Sequence, residues 1–186
     1  MHGALSIVLL LGSVSLAAAA PQAATREFDP CSLLTSSEIQ SVQGERVSAT
    51  KASRPERGRF AVFQCFYSLP TFSKSISLDV TRPWANEKET PSDQWKAMFR
   101  GSAAKKGNED SRRGEEEERE REKASSPPRK VSGVGDEAYW VGPAIVGGLY
   151  VRKGDSFFRL SVGGPDRDAV KIEKLKKLGR KAVQRL

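Results

Sequence analysis

The sequence predicts an α+β fold: a single antiparallel β-sheet packed with a short N-terminal helix, a middle helix and a C-terminal amphipathic helix. Three observations carry this. The stretch from Val131 to Gly164 holds three strand patterns back to back. Two further alternating runs lie earlier, over 59–69 and 75–81. The chain then ends on a segment whose apolar residues recur every three or four positions. A period of two marks a strand with one drier face, and a period near 3.6 marks an amphipathic helix.

The elements follow in chain order. Residues 5–16 are a short apolar run, and Ala17 to Ala20 follow it. This is the pattern of a secretory signal with small residues at the cleavage point. Cleavage is expected after Ala19, so residues 1–19 are read as signal, 20–28 as linker and 29–186 as one domain. The run is too short to span a bilayer, and no cysteine stands at the cleavage point to carry a lipid. The sole histidine, His2, leaves with the signal. Histidine acid–base chemistry, Ser-His or Cys-His nucleophiles and most zinc sites are then excluded. The remaining pair, Cys31 and Cys65, reads as a disulfide in an oxidising compartment; closing a loop of this size stabilises a fold by roughly 4 kcal/mol in the chain-entropy view.

After Cys31, Thr35 and Glu38 form a capping box, Leu34 and Ile39 a hydrophobic staple, and Gly44 a left-handed stop, which predicts a helix over 36–43. Residues 59–69 are apolar on both alternating faces, which predicts an inner strand covered on two sides. In 75–81, Ile76, Leu78 and Val80 point inward, and Pro70 and Pro83 bracket these strands. Thr90-Pro91-Ser92-Asp93 opens a second helix carrying Trp95, Met98 and Phe99. Residues 101–130 have almost nothing to bury. Their run from Glu115 to Lys123 mixes helpful i,i+4 pairs with repulsive ones and lacks the glycine turn of a calcium loop, so a solvated insert is expected.

In the sheet region, Glu137 to Val141 places Tyr139 and Trp140 on opposite faces. Ile145 to Arg152 alternates Leu149 and Val151 against Tyr150 and Arg152. Ser156 to Val162 alternates Phe158, Leu160 and Val162 against Phe157, Arg159 and Ser161. Gly154 supplies the positive φ of the hairpin turn. Gly147 and Gly148 suggest a bulge or the close approach of another backbone. The last helix opens at 165–168 and carries an apolar stripe of Ile172, Leu175, Leu178, Ala182 and Leu186, with Gly179 costing it about 1 kcal/mol relative to alanine.

Function is less legible. Lys and Arg outnumber Asp and Glu by 31 to 23, a balance that attracts anionic partners without choosing among them. The candidate anion-binding face is Lys171, Lys174, Lys177, Lys181 and Arg185, opposite the stripe of the last helix. Trp95, Tyr139 and Trp140 are a candidate pocket for a small hydrophobic ligand. Asp136 and Glu137 are adjacent carboxylates, but neighbours on a strand point to opposite faces and make a poor acid–base pair unless a bulge turns one of them; Asp136 after Gly135 reads as a turn-forming side chain. Gly133-Val134-Gly135 lacks the third glycine of a dinucleotide fingerprint and precedes a strand. Asp155 stands where an RNA-stacking strand carries an aromatic residue. No catalytic residue, metal, cofactor or nucleic-acid partner is therefore predicted.

The pieces Asp29-Pro30-Cys31-Ser32-Leu33-Leu34-Thr35, Cys65-Phe66-Tyr67, Gly133 to Ala138 and Leu149 to Asp155 together resemble a bacterial family of secreted and lipoprotein-type domains of unknown function. Such domains look like the PsbP-type sandwich. The resemblance implies an accessory or binding subunit and carries over no catalytic residue. This chain departs from it in lacking the anchor cysteine and in carrying the charged insert. The reading is an exported, non-catalytic binding or accessory module of the cell envelope, with anionic envelope lipid or polymer, or an envelope protein, as partner. A small-ligand carrier and a carboxylate hydrolase are the alternatives.

Overall fold

The structure, a computed structural model, describes residues 28–53, 60–84, 88–103, 127–142 and 147–186. The expected signal and the middle of the charged insert, 104–126, lie outside the described residues.

Seven strands form one sheet: β1 (Ala49–Ser53), β2 (Ala61–Ser68), β3 (Ile76–Arg82), β4 (Arg129–Lys130), β5 (Glu137–Val141), β6 (Gly148–Lys153) and β7 (Ser156–Val162). Their order is β1-β2-β3-β7-β6-β5-β4, and every pairing is antiparallel. Among the described residues the α-helices are α1 (Ser36–Gln43), α2 (Pro91–Ala103) and α3 (Asp168–Val183). The α+β class and its single antiparallel sheet are as the sequence predicts.

The alternation in β7 explains why it is the middle strand. Phe158, Leu160 and Val162 lie in register with Val80, Leu78 and Ile76 of β3, and on the other side Phe158 and Leu160 meet Val151 and Leu149 of β6. All of these are buried, and they pack with Ile39 of α1 and with Ile172, Leu175, Leu178 and Ala182 of α3. Full burial of each such side chain contributes about 1.5–3 kcal/mol before entropy is counted. At Gly179 α3 packs closely on the loop before β5 and on β6: a Cβ there would stand 3.0 Å from Val134 Cγ1 and 3.7 Å from Leu149 Cδ2. The helix continues past it to Val183, so the cost of glycine in a helix is offset by close packing.

The local signals act as expected. Glu38 N–H donates to Thr35 Oγ1 at 3.2 Å while Thr35 N–H donates to the Glu38 carboxylate at 2.9 Å. Gly44 takes φ +80° and closes α1. At α2, Thr90 and Asp93 make the same reciprocal pair. Cys31 and Cys65 are joined, Cα to Cα 5.2 Å. The bond fastens the turn over Pro30–Leu33, capped by Asp29 at Cys31 N–H, to β2.

Several expectations need correction. The second strand is not covered on both sides: Gln64 is exposed and Val62 is 38% exposed, because α2 lies over the β5–β7 end and does not reach them. Phe28, assigned to the linker, packs edge-on against Phe63 at 4.9 Å, with the Arg82 guanidinium over its ring. The insert is shorter than 101–130, since α2 runs through Ala103 and Arg129–Lys130 pair with Trp140 and Tyr139. The close approach at Gly148 comes from a side chain: a Cβ there would meet Arg159 Nε at 2.9 Å.

Candidate functional site

The five cations predicted to share one face of α3 are divided by the fold. Lys171 is buried, 2% exposed. Lys174 Nζ donates to Asp166 at 2.7 Å and to Gln43 Oε1 at 2.9 Å. Arg185 makes a bidentate bond to Glu38 at 2.7 and 2.8 Å and also donates to Leu33 O. Arg185 is the main cause that holds the Glu38 carboxyl down at about 2. Lys177 and Lys181 remain exposed. They stand on the seam between α1 and α3, where two grooves of about 370 and 480 Å³ share Ser41, Val42 and Lys177. Val42, Leu178 and Val170 supply apolar lining, and Val170 is 47% exposed. The stripe opposite the basic face was readable from spacing. Of the acceptors that take up Lys174 and Arg185, Asp166 lies just before α3, while Gln43 and Glu38 lie far off in sequence and gave no local signal.

The aromatic candidates are not brought to one pocket. Trp140 belongs to the core under α3, whereas Trp95 and Tyr139 lie on the other face with Phe99 and Phe157. Phe99 stacks on Tyr139 at 4.5 Å, and Trp95 sits 5.6 Å from Phe157. Rings this close form a packed cluster.

The carboxylates Asp136 and Glu137 do approach one group, the Arg152 guanidinium, at 4.0 and 3.7 Å. The opposite-face rule applies within a strand, and only Glu137 lies in one. Asp136 precedes β5, and Gly135 turns the chain there with φ +59°. Each carboxylate is engaged structurally. Glu137 accepts from Tyr139 O–H at 2.8 Å and from Trp95 Nε1–H at 2.9 Å. Asp136 accepts from Gly154 N–H at 2.8 Å and from Lys153 at 3.2 Å, which locks the β6–β7 turn. The Tyr139 hydrogen bond lowers the Glu137 pKa, and the Gly154 N–H lowers that of Asp136. A general acid needs the opposite shift.

The sheet face beyond α2 is open. Its cross-strand rows read Phe66–Ser77–Ser161 and Gln64–Asp79–Arg159. Ser77 and Ser161 hydroxyls bond at 2.7 Å, and Arg159 donates to Asp79 at 3.4 Å. At one end Phe72 and Phe66 stand 5.8 Å apart over a groove of about 400 Å³. Reading β2 as covered on both faces concealed this surface from the sequence.

Among the described residues no cluster of three or more His, Cys, Asp or Glu is placed to hold a metal ion, and no helix is long and apolar enough to cross a membrane. The disulfide is compatible with an exported protein. No family model, curated protein or solved structure matches the chain.

Proposed function

We propose that the protein is an exported, non-catalytic binding or accessory module of the cell envelope, of the secreted and lipoprotein-type kind, and that it docks on anionic lipid through the α1/α3 seam. One observation carries this reading: Lys177 and Lys181 are exposed beside a groove lined by Val42 and Leu178. Cations beside an apolar strip match a headgroup layer with acyl chain beneath it. A purely polar envelope polymer would leave the strip around Val170 without a partner. The non-catalytic half of the reading is supported by the structural engagement of Asp136 and Glu137.

Sedimentation with phosphatidylglycerol vesicles tests the reading. Binding is expected at low salt, to weaken steeply as salt screens the charges, and to be abolished by Lys177→Glu with Lys181→Glu. Vesicle binding that ignores salt and survives both substitutions would remove it. So would an absence of binding at low salt.

A further inference from the structure

On the opposite side of the molecule, the groove under Phe72 has the chemistry of a second binding site. Phe72 is 72% exposed, the most exposed large apolar side chain among the described residues. A lone exposed phenylalanine needs no explanation. This one is held on a fixed turn. Glu45 accepts from Thr71 N–H at 2.8 Å and from Lys74 Nζ at 2.7 Å. Lys74 N–H donates to Thr71 O at 2.8 Å, and Gly163 N–H donates to Ser75 O at 3.0 Å. Gln43 Nε2 donates to the Lys74 and Gly163 carbonyls. Gly163 is required here, because any Cβ would overlap the Ser73 carbonyl. An exposed ring carried on a backbone fixed before binding costs less ordering when a ligand arrives.

The floor of the groove decides the ligand class. Ser77 and Ser161 share one hydrogen bond, which leaves the pair with further donor and acceptor capacity. An acyl chain laid over them would dry those hydroxyls at a cost of about 1–3 kcal/mol each. At the far side Arg159, the one charged residue among the described residues that line the groove, is paired with Asp79 behind it at 3.4 Å, so its charge is largely compensated, which favours an uncharged ligand. A pyranose ring is amphipathic in the matching sense: its C–H face packs on an aromatic ring while its rim exchanges hydrogen bonds with hydroxyls and with an Arg–Asp pair. The volume of about 400 Å³ falls within the range of small-ligand sites, about 300–1,000 Å³. We infer that this groove is a carbohydrate subsite that takes a ring of a neutral glycan, with Phe72 as its stacking platform and Ser77, Ser161 and Arg159 as its polar contacts.

The test is amide NMR on the full chain with its disulfide formed, titrated separately with cellohexaose, chitohexaose and sodium decanoate. The inference predicts shifts at Phe66, Phe72, Ser77 and Ser161 with at least one glycan. Phe72→Ala should weaken that binding about tenfold, Phe72→Tyr should retain it, and Val170→Ser on α3 should leave it unchanged. Silence with both glycans, glycan shifts unaltered in Phe72→Ala, or a response at these amides to decanoate alone would each overturn it.

Discussion

The two faces of the sheet solve the same problem differently. Under α1 and α3, strands β3, β5, β6 and β7 bury an unbroken layer from Ile76 to Trp140, and helical side chains close it. On the other face α2 closes a small aromatic cluster around Trp95 and Phe157. Beyond it, β2, β3 and one end of β7 present Gln64, Ser77, Asp79 and Ser161 to solvent or to the groove. Stability is concentrated on the first face, and the surfaces proposed for recognition are ones the fold does not need. The seam groove follows the same logic, since Lys177 and Lys181, left exposed there, are held by no carboxylate among the described residues.

The largest expected effect tests the frame shared by both faces. Replacing Cys31 and Cys65 together by alanine should lower unfolding free energy by roughly 4 kcal/mol, read by urea titration. A loss under 1 kcal/mol would mean that the turn over Pro30–Leu33 holds without its link to β2. Next comes the half-covered side. Trp95→Ala removes a buried indole and leaves Glu137 one donor short, so a loss of about 3 kcal/mol is expected in the same titration. If the loss is negligible, α2 is not anchored as described.

A smaller effect concerns the tie between α1 and the end of α3. The Glu38 pKa is lowered to about 2, first by its hydrogen bonds to Arg185, against an unfolded value of about 4.3. A depressed carboxylate contributes stability that is present above its unfolded pKa and is lost as pH falls toward the folded value. Stability should therefore decline between about pH 4 and pH 2. Glu38→Gln should flatten that part of the decline, at a cost near neutral pH of about 1 kcal/mol for a partly exposed pair. Thermal melts across that range read it. A Gln variant with an unchanged acid profile would show that other carboxylates govern acid unfolding.

What the sequence revealed and what it hid follow the same division. Elements with a strong local signal were legible: the capping box and glycine stop of α1 and the alternation of β7 to the residue, and the stripe of α3 from Ile172 to Ala182, with Leu186 falling beyond the helix end. Strands β1 and β4 were missed because an edge strand needs no apolar alternation; Ala-Thr-Lys-Ala-Ser and Arg-Lys are exposed throughout. The candidate site was harder still. Whether Lys174 or Arg185 is available depends on Asp166, Gln43 and Glu38 meeting them in space. Whether β2 has one covered face or two depends on where α2 lies, and no residue within β2 records that. Gly163 and Gly179 read as weaknesses or pass unnoticed in sequence, yet no side chain fits against the Ser73 carbonyl at Gly163, and a Cβ at Gly179 would crowd Val134 at 3.0 Å.

The most direct test of the contrast between faces is a paired melt of Leu160→Ala and Phe72→Ala. Leu160 is fully buried and Phe72 is 72% exposed. The account predicts a loss of about 3 kcal/mol for Leu160→Ala, roughly a 10 °C fall in Tm, and a change within about 0.5 kcal/mol for Phe72→Ala. Equal losses in the two variants would show that Phe72 serves the fold, and the division between a stabilising face and a recognising face would fail.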